Sequence, residues 1–469
     1  MIAQLFLPGE EWSAHRSRAA EITARVMAMT TGEADELAAE LARDFGSRHP
    51  DVRNVFLSNA DIVSSRLPES VEISVARRLV LGAAFTSEYA VEGAALCNPS
   101  AVEHPDQTGL DPGQLRVALT LRSIGEGHRS CIEFAEAIIG PGRNWVFQER
   151  ERPLWRARIR EAEWSIAHFR AAAEEEGIAT EISQSVVQAL PERFTISDLE
   201  ASIARLPSAL TRRADSARQI EALRELRNAA YRAAFAPETA LSQRVLTPVT
   251  AEERHGMEDA RLVRFTDLTG ATQYRGTYTA YDGRDIALRL IVTDDLREFD
   301  IHRLTGGAAQ DKGMALFPRP VGGRYLALSR TGGESISLAQ SQDGVIWDQL
   351  DKIHAPEQPW EMVQTGNCGP PLETSHGWIV LTHGVGPMRT YSLGALLLDR
   401  DDPTIVLGRT ATPILQPLDE RRDGYTPNVV YSCGGLIKDD LIWIPIGIGD
   451  SRIGVGSIEV DELLARLVP

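Results

Sequence analysis

The chain has 469 residues, of which 43% are hydrophobic and 25% are charged, and its formal net charge is −17. This composition is ordinary for a globular protein, and the length allows two or three domains or one large domain with additions. The negative charge argues against nucleic acid or an anionic membrane as a partner, because both bind positive surfaces, although a local basic patch can still hold a small anion such as phosphate.

Cysteine usage and the N-terminus indicate the compartment. Four cysteines are widely spaced and form no CxxC pair: Cys97, Cys131, Cys368 and Cys433. This spacing does not predict a zinc site or a disulfide framework, and it favours reduced thiols. The apolar run in MIAQLFLPGEEW is too short for a signal peptide, and no run of 18 apolar residues predicts a membrane span. We therefore expect a cytoplasmic protein without a metal site.

Residues 1–95 are predicted to form a helical N-terminal region. Apolar residues recur every three to four positions in SAHRSRAAEITARVMAM and in EADELAAELARDF, and Gly46 follows the second run as a helix stop. A third helix is predicted in SVEISVARRLVLGAAFTSEYAVEGA.

Residues 96–152 predict strands, and residues 153–237 return to helix. RVALTLRSIG alternates as a strand does, GEGH is a turn and SCIEFAEAII is a second strand, which together indicate a hairpin. In the helical block, Ser197 and Glu200 have the spacing of a capping box, and a long helix is predicted over 211–235.

Residues 238–469 alternate short strands with glycine and proline turns. VTDDLREF at 292–299 resembles SQDGVIW at 341–347 after a shift of about 48 residues, and each follows a strand. Several short strands per repeat of this length suggest the blades of a propeller, whose loops converge on a central channel. On this interpretation residues 96–152 supply the first blade, and the helical block is an insertion between blades.

Polar residues stand at strand ends beside glycine in several of these segments. GMEDARLVRF places Glu258, Asp259 and Arg261 where a loop becomes a strand, which by itself also fits a surface acid pair with a partner arginine. Similar positions are Asp311 and Lys312 in DKGMALFPRP, Glu373 in TGNCGPPLET, His383 in LTHGV, Asn428 in GYTPNVVYSCG and Asp450 in GIGDSRIGVG. Loop positions of this kind form sites more often than cores.

Taken in order, these segments resemble glycoside hydrolase family 130, the inverting β-mannoside phosphorylases and β-mannosidases. The matching pieces are GMEDAR, TAYDG, DKGMALFPRP, GPPLET with GWIVLTHGV, YSLGALLLDRDDP with GRTATPIL, and PNVVYSCG with IGDSRIGV, while CNPSAV and LTLRSIGEGHRSCIEF look like the family's first blade. The resemblance implies a five-bladed β-propeller that binds β-manno-oligosaccharides in its central pocket. It also implies that Asp259 is the general acid, which protonates the glycosidic oxygen through the 3-hydroxyl of the mannose.

The resemblance suggests further roles. Candidates for binding the sugar are Glu258, Arg261, Asp282, Asp311, Arg330, Asn367, Glu373, Asn428 and Asp450. Lys312 and His383 match the family's phosphate-contacting positions, and Arg122, Arg330, Arg389 and Tyr391 are candidates for the same anion. The chemistry needs no cofactor other than phosphate as co-substrate. Arg261 is expected to pair with Glu258, and the direction of the pKa shift of Asp259 stays open, because burial raises it and Arg261 lowers it.

The sequence departs from the compact phosphorylases at one point. Tyr281 and Asp282 stand where those enzymes carry an arginine–asparagine pair, and an aspartate there would repel phosphate. Either the phosphate site is rebuilt from Arg122, His128 or Arg129, or it is lost and Glu126 or Glu373 activates water as a general base. A phosphorylase that releases α-mannose 1-phosphate is the leading interpretation, an inverting β-mannosidase is the second, and a non-catalytic glycan-binding propeller is the third. The helical regions either cap the pocket or mediate homo-oligomerisation.

Overall fold

The structure is a computed structural model that describes residues 1–7, 18–64, 73–330, 332–418 and 423–469. The chain forms two compact units, the first from Met1–Val91 with Glu151–Arg156 and the second from Glu92–Arg150 with Ala157–Pro469. None of the helices in the described ranges is long and apolar enough to cross a membrane.

The first unit is mainly helical. Its helices are Arg18–Ala28, Thr31–Gly46, Val52–Ser64 and Val75–Ala84, and its strands are Ile2–Leu5, Thr86–Tyr89 and Trp155–Arg156. Thr30 begins the second helix with a capping box, because its hydroxyl accepts from the Glu33 amide while the Glu33 carboxylate accepts from the Thr30 amide at 2.7 Å. A Cβ on Gly82 would lie 1.7 Å from the carbonyl oxygen of Phe56. Only glycine therefore allows the helices Val52–Ser64 and Val75–Ala84 to pack this closely.

The third predicted helix is wrong at its C-terminal end. The chain leaves the helix after Ala84 and forms the strand Thr86–Tyr89, which pairs antiparallel with Ile2–Leu5. Pairing with a distant strand overrides the helical spacing of this segment, and the sequence pattern does not reveal such a partner. Residues 13–17 of the first predicted helix and 70–72 of the third lie outside the described residues.

The second unit is mainly β, and its described residues form four sheets of four or more strands and one two-stranded sheet. The largest has the strand order Ala95–Glu103, Leu115–Ile124, Ser130–Gly140, Gly256–Thr266, Thr272–Tyr281, Ile286–Thr293, Glu298–Arg303, Tyr231–Ala234 and Arg158–Glu161, with Asn144–Phe147 and Arg244–Leu246 beside Ser130–Gly140. The second sheet has Ala315–Leu316, Tyr325–Ser329, Ile336–Ser341 and Asp348–His354. The third has Gln364–Asn367, Leu372–Thr374, Gly377–Gly386, Thr390–Leu398, Val406–Thr410 and Leu467–Val468, and the fourth has Val430–Tyr431, Leu436–Lys438, Leu441–Ile448 and Arg452–Glu459.

Apolar side chains from neighbouring sheets form the core between them. One cluster joins Leu328 and Leu338 of the second sheet to Trp378 and Leu396 of the third, and all four are almost fully buried. Burial of such large side chains is the main favourable term that holds the sheets together. The strands of the described residues do not close into one sheet, and the five-bladed propeller stays a prediction.

The repeat seen in the sequence is confirmed as a repeated turn. The Thr293 hydroxyl accepts from the Leu296 amide, and the Asp295 carboxylate accepts from the amides two and three residues further on. The Ser341 hydroxyl and the Asp343 carboxylate make the same bonds about 48 residues later. Each turn follows a strand and connects it to the next, so the repeat marks equivalent strand connections.

The helical block between the strands is shorter than predicted. Its helices are Ile166–Glu175, Glu181–Gln188, Ile196–Ala204, Ser208–Thr211 and Ser216–Asn228, beside the strand pair Trp164–Ser165 and Arg193–Phe194, and Val460–Leu464 is a further helix near the C-terminus. The predicted helix 211–235 is therefore wrong beyond Asn228, because Tyr231–Ala234 pairs with strands on both of its sides. The capping box uses Thr195 and Asp198, not Ser197 and Glu200.

Two β-bulges shape the chain near the polar strand ends. The register between Gly256–Thr266 and its neighbour shifts between Glu258 and Arg261, and that of Ala95–Glu103 shifts between Cys97 and Ser100. Asp259 and Asn98 occupy these bulges with φ of 57° and 51°. Bulges redirect a side chain out of the regular alternation, and positive φ in a residue other than glycine concentrates at functional sites.

Candidate active site

A cavity of about 520 Å³ in the second unit collects most of the predicted site residues. Ten of them line it: Arg122, Glu258, Asp259, Asp311, Lys312, Arg330, His383, Arg389, Tyr391 and Asp450. They come from segments spread over more than 300 residues of sequence, so the fold brings together what the motifs only suggested. Their roles in catalysis and binding stay predictions.

The side chain of Asp259 is held by three neighbours. Its Oδ1 accepts from Asn98 Nδ2 at 2.5 Å and lies 3.6 Å from Arg122 Nη1, and its Oδ2 lies 3.7 Å from Arg261 Nη2. Both bulges therefore meet here, one carrying the carboxylate and the other the amide that orients it. A carboxylate fixed from three sides has a defined direction before any ligand arrives.

The pKa of Asp259 lies below its usual value. Burial raises the pKa of this carboxyl, but the positive charges of Arg122 and Arg261 and the hydrogen bond from Asn98 outweigh burial. The pKa shift of Asp259, whose direction the sequence does not determine, is therefore downward. Asp259 is ionised near neutral pH in the free protein. An ionised carboxylate must first gain a proton before it can act as an acid.

Glu258 is neutralised by two cations. Arg122 Nη2 donates to Glu258 Oε1, and Lys312 Nζ donates to Glu258 Oε2, each at 2.7 Å. The Lys312 ammonium also lies 5.6 Å from the ring centroid of Tyr281, within cation–π range. Glu258 thus keeps two of the cavity's cations in fixed positions.

The expected pairing of Arg261 with Glu258 is wrong. Arg261 is almost fully buried below the cavity, where Nε donates to the carbonyl of Cys368 at 2.8 Å and Nη2 donates to the hydroxyl of Tyr431 at 3.0 Å. The positive charge of Arg261 lies close to Asp259, but the hydrogen bonds of its guanidinium go to residues of other segments, Cys368 and Tyr431. Arg261 Nη2 lies 3.7 Å from Asp259 Oδ2, as expected for positions two apart, which share one face of a strand, while Glu258 is held by other cations.

A second part of the cavity carries two cations, Arg330 and Arg389, that no carboxylate of the described residues neutralises. Within the described residues, neither Arg330 nor Arg389 forms an ion pair; Arg330 Nη2 donates to the Gly333 carbonyl at 3.0 Å, and Arg389 Nη2 donates to the Tyr391 hydroxyl at 3.3 Å. Guanidinium groups in this state are suited to binding an anion.

His383 lies beside these arginines as a neutral ring. Burial, followed by the charges of Arg330 and Arg261, lowers the pKa of His383 well below its usual value. Its Nδ1 has no hydrogen-bond partner within the described part of the chain. A Cβ on Gly366 would lie 2.5 Å from Arg330 Nε and 2.6 Å from His383 Cε1, so a glycine is needed where these side chains cross the strand.

Asp311 and Asp450 complete the acidic part of the wall. Asp311 Oδ2 accepts from the Gly332 amide at 2.6 Å. Asp450 has φ of 51°, and burial raises its pKa above the usual value. Both residues line the cavity, and carboxylates are hydrogen-bond acceptors, which suits their predicted role in binding sugar hydroxyls.

Three predicted residues lie away from the cavity. Asp282 caps a surface turn through the amides of Arg284 and Asp285, and Glu126 is exposed in the turn Glu126–His128. Glu373 accepts from Arg319 at 2.6 Å and 3.0 Å, and this pairing lowers its pKa. The structure therefore does not place any of the three where the sequence reasoning needs it.

Two other predicted residues support the wall from behind. Asn367 is buried and its Nδ2 donates to the Gly313 carbonyl at 2.7 Å, which fixes the segment next to Lys312. The carbonyl of Asn428 accepts from the Tyr391 amide at 2.9 Å. Both residues position neighbours that line the cavity.

The sequence reasoning missed seven residues of the wall. They are Asn98, Ile286, Gly333, Gln364, Thr426, Val429 and Tyr431. Asn98 stands in CNPSAV, a segment already matched to the family, and asparagine is one of the few residues that adopts positive φ readily. That signal was available for Asn98, whereas the apolar members carry no signal of their own.

A second cavity, of about 610 Å³, is larger and holds none of the predicted residues. It lies between the helical block and the sheet, and its buried Arg303 is paired with Glu176 and Glu252, each at 2.5 Å. Volume alone thus does not select the candidate site. The smaller cavity is the candidate because ten of the predicted residues line it. In the described ranges, no cluster of histidine, cysteine and acidic residues could hold a metal ion.

Comparison with known proteins confirms the family. Residues 235–468 match the sequence model of glycoside hydrolase family 130, described as β-1,4-mannooligosaccharide phosphorylase. The chain is 34% identical over 231 residues to the 1,2-β-oligomannan phosphorylase of Thermoanaerobacter sp. (strain X514), covering 48% of this chain and 75% of that one. It is also 34% identical to the β-1,2-mannobiose phosphorylase of the same organism over 224 residues, or 47% and 72% of the two chains. The protein belongs to glycoside hydrolase family 130.

A solved structure gives a looser match over a longer range. The β-1,2-mannobiose phosphorylase of Listeria innocua, in complex with β-1,2-mannobiose, is 18% identical and covers 81% of this chain and 93% of that one, with a TM-score of 0.47.

Proposed function

We propose that the protein is a β-mannoside phosphorylase that cleaves manno-oligosaccharides with inorganic phosphate and releases α-mannose 1-phosphate with inversion. The observation that carries the proposal is the composition of one cavity: the oriented carboxylate of Asp259 shares it with Arg330 and Arg389, which no described carboxylate neutralises. The names of the relatives, all phosphorylases of β-mannosides, support the same activity.

Asp259 supplies the proton in this proposal. The bond from C1 to the glycosidic oxygen breaks, the proton of Asp259 passes to that oxygen through the 3-hydroxyl, and a phosphate oxygen forms the new bond to C1 from the other side. Phosphate bound beside Arg330 and His383 brings negative charge close to Asp259. This charge raises the pKa of the Asp259 carboxyl, which therefore takes up a proton. The lowered pKa of the free state thus makes protonation depend on the second substrate.

Water is the weaker choice of nucleophile. Inverting hydrolysis needs a general base inside the site, but both candidates, Glu126 and Glu373, lie outside the cavity, and Glu373 is held by arginines. The expected repulsion from Asp282 is also missing, because that carboxylate caps a surface turn. Arg122 is already bonded to Glu258, so we assign the anion to Arg330, His383, Arg389 and Tyr391.

We propose a five-bladed propeller as the finer architecture. The largest sheet contains two antiparallel groups, Ala95–Gly140 and Gly256–Arg303, whose core strands are joined by a single parallel pair, Gly256 with Ser130. Together with the three other sheets of four or more strands this gives five successive groups among the described residues, which supports one blade each. A cytoplasmic location and the absence of any cofactor beyond phosphate remain part of the proposal.

The test is a product assay on β-1,2-, β-1,3- and β-1,4-mannobiose with and without phosphate. We expect mannose 1-phosphate only when phosphate is present, with β-1,2-mannobiose turned over first, as the relatives' names suggest. The Asp259→Asn variant should lose about 100-fold or more of this activity, whereas Asp348→Asn, the same change at an exposed strand position, should not. Free mannose released at a rate indifferent to phosphate would overturn phosphorolysis.

A further inference from the structure

His128 and Tyr425 form an aromatic pair in two loops that adjoin segments lining the cavity. Tyr425 precedes Thr426, which lines the cavity, and His128 lies in the turn that follows the strand of Arg122, another lining residue. The Tyr425 hydroxyl and His128 Nδ1 are hydrogen-bonded at 2.7 Å, and the two rings lie 6.0 Å apart at 43°. Two loops far apart in sequence are thus joined beside the cavity.

The pair is held in place and yet left open to solvent. The Thr426 amide donates to the Gly449 carbonyl at 3.0 Å, and a Cβ on Gly424 would lie 2.4 Å from the same oxygen, so both neighbours of Tyr425 are fixed against one turn. His128 has φ of 57°, and Tyr425 is 46% exposed. A tyrosine anchored in this way without being buried adds little to the core, and it offers a ready ring face.

We propose that His128 and Tyr425 bind the leaving sugar, the hexose whose oxygen receives the proton from Asp259. The apolar face of a sugar ring packs on an aromatic ring, and its hydroxyls pair with a phenol or an imidazole. The mannose that is cleaved and the phosphate need the charged groups inside the cavity, so the ring that departs occupies its edge. This inference rests on the proposed function.

The reverse reaction separates the two substrates. With α-mannose 1-phosphate as donor and mannose as acceptor, Tyr425→Ala should raise the KM for the acceptor roughly tenfold and leave the KM for the donor nearly unchanged. His128→Ala should act in the same direction, and Tyr425→Phe, which keeps the ring, should act more weakly. Phe147→Ala, which removes another exposed aromatic ring of the same unit, is the matched control and should leave both constants unchanged.

Two results would overturn the inference. An unchanged acceptor KM in both Tyr425→Ala and His128→Ala rules out contact with the leaving sugar, and an equal rise in both KM values points to a general disturbance of the cavity. If the wild-type protein forms no glycosidic bond, the proposed function itself fails. Calorimetric titration with mannobiose then decides on the pair alone: a weaker affinity in Tyr425→Ala supports it, and an equal affinity rejects it.

Discussion

The hydrogen bond from Asn98 to Asp259 joins two bulges from distant parts of the chain. It stabilises the ionised form of the carboxylate and fixes the direction in which its oxygen points. Such a group has two separable effects on an acid: its loss raises the pKa, and its loss also frees the side chain to rotate. A single substitution can therefore reveal whether orientation or protonation limits the reaction.

We predict that Asn98→Gly lowers kcat/KM about 10- to 100-fold at pH 6 and moves the alkaline limb of the pH profile upward. Glycine removes the amide and still adopts the φ of 51° without strain. The acid must carry its proton, so activity falls as the pH rises through the pKa of Asp259, and a higher pKa shifts that fall to higher pH. The measurements are kcat/KM at pH 6 and the pH dependence of kcat at saturating mannobiose and phosphate between pH 5 and 9, because kcat reports the pKa of Asp259 with phosphate bound, whereas kcat/KM reports the lowered pKa of the free protein.

Asp440→Gly is the matched control for this variant, since Asp440 also has positive φ, 58°, and lies outside the cavity. Its pH profile should coincide with that of the wild type. A downward shift of the limb in Asn98→Gly would contradict the assigned effect of this hydrogen bond on the pKa of Asp259.

At the scale of elements, the strand Gln364–Asn367 shapes the proposed phosphate site because it has a glycine, Gly366, where a side chain would meet Arg330 and His383. Gly366 has ordinary negative φ, so the backbone itself accepts alanine there, but Arg330 and His383 pass within 2.6 Å of the place where a Cβ would stand. The two side chains would have to move. The strand thus acts on the site through the space it frees for them.

We predict that Gly366→Ala raises the KM for phosphate about tenfold while the fold persists, with a loss of about 1–3 kcal/mol in the free energy of unfolding. The reason is displacement of Arg330 and His383, which the added methyl group meets first. Initial rates at varied phosphate concentration and a thermal melt test this. Gly307→Ala is the control, because nothing lies within 4 Å of its Cβ position; an unaltered KM in Gly366→Ala would remove His383 and Arg330 from the phosphate site.

Elements that depend on local hydrogen bonds could be predicted from the sequence, whereas elements that depend on distant partners could not. The turns at Asp295 and Asp343 were predictable, because their hydrogen bonds are local and repeat in the residues themselves. The strand Tyr231–Ala234 was not, because its alanine-rich sequence favours helix, and only pairing with strands on both sides makes it extended. The charged members of the cavity followed from motifs, whereas the hydrogen-bond partners of Arg261, on Cys368 and Tyr431, lie more than 100 residues away in sequence and leave no local signal.

For the whole molecule, the shifted carboxyls set how stability depends on pH. The pKa values of Asp259 and Glu361 are lowered, the second because His354 outweighs the effect of burial. A lowered folded-state pKa contributes stability that is present above the unfolded value and is lost as the pH falls through the folded value. These two groups therefore favour the folded state at neutral pH and add to the loss of stability in acid.

The pKa of Asp450 is shifted in the opposite direction, so this group affects the pH dependence of stability in the opposite sense. Its pKa is raised by burial, so it contributes stability only below the unfolded value, and this is lost as the pH rises through the folded value. Asp450→Asn removes the buried charge, and asparagine tolerates the φ of 51° at least as well as aspartate. We expect its Tm to exceed that of the wild type by about 1–2 °C at pH 7.5, with little difference at pH 4.

The same variant should lose activity, because Asp450 lines the cavity and its carboxylate is a candidate acceptor for a sugar hydroxyl. A gain in stability together with a loss of turnover is expected where a charged group serves activity but lowers the free energy of unfolding. Melting curves at both pH values, together with kcat/KM, measure the two effects in one protein. A Tm below that of the wild type at pH 7.5 would show instead that the charge of Asp450 is stabilised in the fold, since Arg122 is the cation that lowers its pKa.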